Sequence, residues 1–218
     1  SVLDSPITCE CQSAVCEYLS VNAVSLKKTK DYPPVVLAEV QMNDGSWKNA
    51  KCLLDGGSNW TLVRSEFARI SGLEDLGPTN SKFGVAGGSV HNESGVHDFQ
   101  LNIRARGSSK SYEISATSMK KPCFDVPRIP SKTFSENPHL QKEKPSIYVD
   151  GGEIDILIGS DYGPLITSEG NTRAPTNPDE YASIAHTRLG NYLYGGLFPT
   201  SAGEYVKDIQ INYMNALE

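Results

Sequence analysis

The sequence predicts a mainly β fold, and three observations carry that prediction. Its 218 residues include 19 Gly and 13 Pro at a hydrophobic content of 38%, which is typical of a turn-rich β protein. Residues 99–105 and 112–116 alternate apolar and polar side chains, as half-buried strands do. Residues 185–196 have the pattern of a strand, a turn and a second strand.

The first half of the chain gives the clearest order of elements. Residues 34–42 form a predicted strand, and the turn at residues 43–46 leads into a second strand over residues 47–54. A helix is expected within residues 64–73, because Phe67, Ile70 and Leu73 recur at helical spacing. We expect these three side chains to pack in the core and Ser65 to cap the helix.

A single carboxylate stands at the end of the second strand. Asp55 follows the apolar residues 52–54 and precedes Gly56, Gly57 and Ser58. Gly57 allows a sharp turn in which backbone amides face the Asp55 carboxylate. This pattern is typical of the catalytic loop of an aspartic peptidase, and it is also typical of a plain Asp-Gly turn.

Later segments supply further strands. A glycine-rich stretch at residues 82–90 predicts a mobile hairpin whose central residues are Phe83, Gly84, Val85, Ala86, Gly87 and Gly88. Residues 153–159 predict a buried strand that ends at a glycine, with a short helix behind it. Five prolines within residues 121–147 predict a long irregular insertion over the surface, and residues 169–184 predict another loop.

Taken in order, four motifs resemble those of the retropepsin-like aspartic peptidases, most closely the Pao/BEL type of LTR retrotransposons. They are LLDGGS at residues 53–58, FGVAGG at 83–88, IDILIGSDY at 154–162 and HTRLGNYLYGG at 186–196. The resemblance covers residues 34–198. It implies a retropepsin-like acid-protease β-barrel with one or two short helices, a flap hairpin, and N-terminal and loop extensions.

The resemblance also implies a site and an assembly. Asp55 would be the catalytic residue, Gly56, Gly57 and Ser58 its loop, and residues 83–88 the flap that covers an extended peptide. Peptide hydrolysis of this kind needs two carboxylates that share a proton, so the second Asp55 would come from a second copy of the chain. We therefore expect a homodimer that acts on a polypeptide and needs no cofactor.

One residue departs from the family pattern. The family has Ser or Thr after the catalytic aspartate, where this chain has Gly56. In the family that hydroxyl forms hydrogen bonds across the dimer, each worth about 1 kcal/mol. Two hypotheses follow: a homodimeric endopeptidase of retroelement origin, or a catalytically inactive dimerisation or peptide-binding scaffold domesticated in a host protein.

A second Asp-Gly-Gly sequence at residues 150–152 echoes the first. The residues before Asp150 are polar and predict no buried strand, so we interpret this segment as a turn. The resemblance also implies a division of the chain: an N-terminal extension at residues 1–30, a retropepsin-like domain at 31–198 with its 121–147 insertion, and a C-terminal extension at 199–218.

Charge and composition limit the partners. A net charge of -6 gives no general electrostatic reason to bind nucleic acid. No apolar run reaches the roughly 18 residues of a membrane span, and the first residues lack the pattern of a signal peptide. We expect an intracellular, cytoplasmic protein whose partners are a second copy of itself and a polypeptide substrate or protein partner.

The five cysteines leave two interpretations open. Cys9, Cys11 and Cys16 form a cluster without a nearby fourth ligand, which favours free thiols and no metal. The alternative is a partial zinc site completed by a distant residue or a partner. The odd count argues against a complete disulfide framework.

Overall fold

The computed structural model describes residues 32–80, 82–84, 90–92, 94–178 and 181–196. The predictions for the N-terminal extension, its three cysteines, the flap tip at residues 85–89 and the C-terminal extension fall outside these ranges.

Twelve strands are present in the described part of the chain. They are β1 (Val35–Gln41), β2 (Trp47–Leu54), β3 (Leu62–Arg64), β4 (Glu74–Pro78), β5 (Lys82–Gly84), β6 (Val90–Asn92), β7 (His97–Ala105), β8 (Ser111–Met119), β9 (Ile156–Ile158), β10 (Gly170–Thr172), β11 (Ala182–Thr187) and β12 (Gly190–Gly195). The mainly β prediction is confirmed, as are the strands predicted around residues 34–42, 47–54, 99–105, 112–116 and 185–196.

Six of the strands close into a β-barrel. Their order is β1-β2-β9-β3-β8-β7, and β7 pairs again with β1. Most neighbours are antiparallel, but β2 runs parallel to β9 and β3 runs parallel to β8. β4 extends the sheet by pairing with residues 97–100 of β7, whereas β1 pairs with residues 103–105 of the same strand. Because closure leaves the six strands paired on both sides, the barrel forms a rigid frame for the loops at its ends.

An ion pair marks the seam where the barrel closes. Glu39 of β1 lies directly opposite Arg104 of β7, and the Arg104 Nε atom donates to the Glu39 Oε2 atom at 2.8 Å. The Arg104 guanidinium also stacks 3.8 Å from the centre of the Trp47 ring. The Glu39 carboxylate additionally accepts the backbone N–H of Gly107 at 3.2 Å. The charge pair therefore holds β1 against β7, and the aromatic contact joins β7 to the start of β2.

The described residues contain three short α-helices: α1 (Ser65–Ser71), α2 (Lys132–Glu136) and α3 (Gly163–Ile166). The helix expected within residues 64–73 is α1, and the short helix expected behind the 153–159 strand is a 3-10 turn at Ser160–Tyr162 followed by α3. Phe67 and Leu73 are buried as expected. Two details were wrong: Ile70 is 45% exposed, and Ser65 is the first helical residue with no side-chain cap before it.

The proline-rich segment is more ordered than its sequence predicts. Residues 121–147 contain α2 and two 3-10 helices, Pro138–Leu140 and Lys144–Ser146. Phe134, Leu140 and Ile147 are buried against Ile184 and Leu193 of the small β10-β11-β12 sheet. The insertion therefore builds a hydrophobic cluster with the small sheet and is not an irregular surface loop. The predicted 169–184 loop likewise contains β10.

Two larger clusters fill the rest of the core. The first lies inside the barrel and includes Val36, Cys52, Ile103 and Ile156, all fully buried. The second lies on the opposite face of the same strands and includes Leu53, Leu62, Leu157 and Phe83. The alternation of β2 decides this division, because Cys52 and Leu53 point to opposite faces.

Candidate functional site

The Asp55 loop connects the two strands that flank β9. β2 pairs with β9 in parallel and β3 pairs with β9 antiparallel, so the chain leaves the sheet at Leu54 and returns on the other side of β9 at Leu62. The backbone N–H of Asp55 donates to the Ile158 carbonyl at 2.9 Å, which extends the β2–β9 ladder by one residue. The first residue of the loop is thereby fixed to the sheet.

Within the loop, the backbone turns towards the Asp55 side chain. The Gly57 N–H donates to Asp55 Oδ1 at 2.9 Å, and the Ser58 N–H donates to the Asp55 carbonyl at 3.2 Å. The Asp55 side chain is half-buried, whereas Gly56 and Gly57 are exposed. One oxygen of the carboxylate is therefore held by the loop, as the sequence predicted for Gly57.

Gly56 has open space around it. A Cβ atom built there would meet only the Ile166 Cδ1 atom at 3.9 Å, an ordinary van der Waals distance. At Gly57 a Cβ would lie 3.2 Å from Asp55 Oδ1, which is a tight contact. Within one chain, the first glycine tolerates a side chain and the second is constrained by the carboxylate.

Ser58 ties the far side of the loop to the turn after β9. Its carbonyl accepts both the backbone N–H of Ser160 at 2.8 Å and the Ser160 hydroxyl at 2.9 Å. Its own hydroxyl donates to the Trp60 carbonyl at 2.8 Å. Ser58 therefore stabilises the loop through hydrogen bonds to Ser160 after β9 and to Trp60 within the loop.

A second connection joins Thr61 to Asp161. The Thr61 N–H donates to Asp161 Oδ2 at 2.9 Å and the Thr61 hydroxyl donates to Asp161 Oδ1 at 2.7 Å. The same hydroxyl accepts the Gly159 N–H at 3.0 Å. Thr61 is fully buried, so these hydrogen bonds are shielded from water and are electrostatically stronger than they would be in solvent.

Gly159 is required by the closeness of this packing. A Cβ atom on Gly159 would lie 2.7 Å from the Trp60 carbonyl oxygen, which no side chain tolerates. Sequence reasoning identified the glycine at the end of this strand but missed Thr61, Ser160 and Asp161 as supports of the loop. Their only signal was the polar Ser-Asp pair directly after the glycine.

Trp60 presents an exposed indole beside the loop. Its side chain is 56% exposed, yet its Nε1–H donates to the Thr117 hydroxyl at 2.7 Å. The Thr117 hydroxyl in turn donates to Asp98 Oδ1 at 2.6 Å. The indole is therefore fixed in orientation by β7 and β8 while much of its surface remains in water.

Burial and nearby negative charges raise the pKa of the Cys123 thiol. Burial raises the pKa of Cys123 to about 12, and the negative charges of Asp55 and Asp125 contribute to that rise. The thiol packs against the second hydrophobic cluster, to which Phe83 also belongs. Cys123 is therefore a half-buried, neutral thiol packed against the second cluster.

The predicted flap is a hairpin at its base. β5 and β6 pair with each other as a separate two-stranded sheet, with Phe83 opposite His91. The Phe83 ring is only 6% exposed and packs in the second cluster with Leu53, two residues before Asp55. Gly84 forms the last described pair of the hairpin, with Val90, and the predicted flap residues Val85, Ala86, Gly87 and Gly88 lie outside the described residues.

The echo at residues 150–152 forms no buried strand, as predicted: the chain bends at Asp150, and Gly152 pairs with Val126 in an isolated β-bridge. Gly151 and Gly152 adopt positive φ values of 68° and 91°, and Asp150 is exposed. Its carboxylate lies 3.6 Å from the Arg128 guanidinium. Asp150 therefore belongs to a surface ion pair and not to the Asp55 loop.

In the described part of the chain, no three His, Cys, Asp or Glu side chains come together in a way that would hold a metal ion. The described helices are all too short or too polar to cross a membrane. The candidate zinc ligands Cys9, Cys11 and Cys16 lie outside the described residues.

Comparison with known proteins assigns this chain to no family. The chain matches no protein-family model, and no curated protein resembles it significantly in sequence. The site presents one half-buried carboxylate, held on one side by a backbone N–H, at the end of a barrel strand.

Proposed function

We propose that this chain is an aspartic endopeptidase of the retropepsin type, which acts as a homodimer with one Asp55 from each copy. The observation that carries the proposal is the Asp55 loop. It connects β2 to β3, and β9 lies between these two strands. The hydrogen bond from Gly57 to the carboxylate aims one oxygen and leaves the other available for chemistry.

The proposed chemistry needs two carboxylates close together. Two carboxyl groups about 3 Å apart cannot both ionise easily, so such a pair holds one proton in mildly acidic solution. One then acts as general base on a water molecule while the other donates a proton towards the scissile carbonyl. The rigid frame supports this proposal, because Ser58 and Thr61 fix the loop to the turn after β9.

The hairpin β5–β6 fits the role of a cover for the substrate. Phe83 anchors its base in the hydrophobic cluster that also contains Leu53. An anchored base with a glycine-rich tip suits a segment that opens and closes over an extended peptide. Trp60 offers a further apolar surface beside the loop.

A test compares two aspartates in the same chain. The parent, Asp55→Asn and Asp150→Asn are incubated with a peptide mixture between about pH 4 and about pH 7, and the products are identified by mass spectrometry. We expect the parent and Asp150→Asn to cleave the same bonds and Asp55→Asn to cleave none, with equal thermal stability for all three. Cleavage by Asp55→Asn would refute the assignment.

A second candidate function is an inactive dimerisation or peptide-binding scaffold. Gly56 favours it, because this residue cannot supply the hydroxyl that would hydrogen-bond across a dimer. A scaffold would bind peptide or dimerise while the parent and Gly56→Thr both leave every peptide intact. That outcome would replace the peptidase proposal with the scaffold.

A further inference from the structure

A group of polar side chains links the small sheet to the end of the proline-rich segment. His186 of β11 lies between Thr172 of β10 and Asn191 of β12, with Nε2 2.9 Å from the Thr172 hydroxyl oxygen and Nδ1 3.0 Å from Asn191 Oδ1. The Thr172 hydroxyl oxygen also lies 3.1 Å from Oε1 of Glu143, just before the Lys144–Ser146 3-10 helix. His186 therefore links the three strands of the small sheet, and Thr172 extends the group to Glu143.

The hydrogen positions can be assigned from one end of this group. The Ser146 hydroxyl donates to the Glu143 carbonyl at 2.7 Å, so its oxygen can only accept from Asn191 Nδ2 at 3.0 Å. Asn191 must then present its carbonyl oxygen to His186. A carbonyl oxygen only accepts, so the His186 Nδ1 atom carries a hydrogen.

At the other end, the protein groups alone make both hydrogen bonds only with one additional proton. The Thr172 hydroxyl has a single hydrogen but two neighbours, His186 Nε2 and the Glu143 carboxylate. If His186 is neutral, Nε2 accepts that hydrogen and the carboxylate loses its donor. If His186 is an imidazolium, Nε2 donates to Thr172 and the hydroxyl donates to Glu143. Only the second arrangement makes both hydrogen bonds with an ionised Glu143.

We propose that Glu143, Thr172 and His186 form a proton-binding relay that clamps the 143–146 segment onto the small sheet when His186 is protonated. The proton comes from solvent and resides on Nε2, since imidazoles bind protons more tightly than carboxylates do. Loss of that proton turns the Thr172 hydroxyl towards His186 and releases Glu143. The relay is independent of any activity at Asp55.

Other charges on the surrounding elements set the background. Glu169, next to β10, pairs with Arg188 of the β11–β12 turn at 2.6 Å, so these two charges offset each other. The exposed residues on either side of the relay, Arg173 and Lys144, are both cationic and oppose an additional positive charge. The Lys144 ammonium lies over the Phe134 ring. Glu143 is the carboxylate that contacts the relay hydroxyl.

The relay has a defined effect on stability. When His186 is protonated, the closed relay adds the hydrogen bond from Thr172 to Glu143, so we expect this contribution to stability to be lost as pH rises through the range in which histidines titrate. Changing Glu143 to Gln should remove this dependence of stability on pH. The Gln amide can donate to Thr172 when His186 is neutral and its carbonyl can accept from Thr172 when His186 is charged, so both bonds form at either pH.

The test measures thermal unfolding of the full chain at about pH 5.5 and about pH 8, on either side of the range in which histidines titrate. Glu113→Gln is the matched control, because Glu113 is an exposed carboxylate on β8. We expect the parent and Glu113→Gln to lose about 3 °C more in Tm between the two pH values than Glu143→Gln does. An equal change in all three proteins would overturn the relay.

A spectroscopic measurement keeps the proposal testable if a variant folds poorly. In ¹⁵N-histidine NMR of the parent at about pH 8, His186 should be the tautomer with hydrogen on Nδ1. Finding the hydrogen on Nε2 instead would overturn the assignment that begins at Ser146. Thr172→Val should keep that tautomer, because the Asn191 bond remains, and should abolish the pH-dependent difference in Tm.

Discussion

Thr61 and Asp161 lie 100 residues apart in the sequence, and Thr61 donates both its backbone N–H and its hydroxyl to the Asp161 carboxylate. The pair joins the end of the Asp55 loop to the turn after β9. Because the Thr61 hydroxyl also accepts the Gly159 N–H, one hydroxyl makes two hydrogen bonds to the 159–161 segment. The shape of the Asp55 loop therefore depends on contacts made after Ile158, late in the chain.

Thr61→Val should destabilise the fold by about 2 kcal/mol, because it leaves the buried Gly159 N–H without an acceptor and removes a bond to a charged group. Thr167→Val is the control, since Thr167 is exposed and its hydroxyl bonds only to the Gly163 carbonyl within α3. Urea denaturation of both variants tests this prediction. Equal midpoints for the two would show that the Thr61 hydroxyl carries no stability.

The two glycines around the site should respond in opposite ways. Gly56→Ser should fold with a change in stability of less than about 0.5 kcal/mol per chain, because its Cβ meets only Ile166 at 3.9 Å. Gly159→Ala should cost about 2 kcal/mol or more, because its Cβ would lie 2.7 Å from the Trp60 carbonyl. Chemical denaturation of both variants at low protein concentration measures the difference.

Gly56→Ser should also strengthen a dimer. In the proposed assembly each new hydroxyl adds a cross-dimer hydrogen bond worth about 1 kcal/mol, so two bonds tighten dimerisation by about thirtyfold. Sedimentation of the parent and the variant over a range of concentrations measures the dissociation constants. A monomeric variant at the highest concentration would contradict a dimer joined at Asp55.

Phe83→Ala should destabilise the chain by about 3 kcal/mol, because the ring is 94% buried in the cluster shared with Leu53 and Leu62. The matched control is Phe124→Ala, which removes a ring that is 43% exposed and should cost much less. Thermal unfolding distinguishes the two. A small effect at Phe83 would mean that the base of the hairpin separates readily from the barrel.

The seam of the barrel should weaken in acid. Burial alone would raise the pKa of Glu39, but hydrogen bonds from Arg104 and Gly107 outweigh it and lower that pKa. A lowered pKa means that the pair contributes stability above the ordinary range of glutamic acids and loses it as pH falls through the lowered value. Glu39→Gln should therefore be less stable than the parent near neutral pH, and the gap should close in acid. A gap that is constant between about pH 7 and about pH 3 would contradict this.

Local patterns predicted the strands well because alternation and glycine turns act over short distances. Residues 99–105 and 185–196 needed only their own sequence to be recognised. The missed elements depend on distant partners: β4 has the polar sequence Glu-Asp-Leu-Gly-Pro and exists because it pairs with β7. α2 packs Phe134 against Ile184, fifty residues further on.

The same distinction between local patterns and distant partners applies to the candidate site. The Asp55 turn and the hydrogen bond from Gly57 follow from residues next to each other, so sequence predicted them. The support from Ser160 and Asp161 requires β9 to lie between β2 and β3, and no local pattern specifies that pairing. Ile70 shows the opposite error, because helical spacing alone did not reveal that its side of α1 faces solvent.

The position of β9 also sets the time at which the Asp55 loop can form during synthesis. β2 leaves the ribosome about a hundred residues before β9, which at about 5–20 residues per second is a delay of roughly 5–20 s. Until Ile156–Ile158 arrives, β2 and β3 have no strand between them and the loop has no anchor at the Ile158 carbonyl. A nascent chain therefore carries Asp55 without its supporting contacts, and any activity that depends on this loop begins only after β9 has been synthesised.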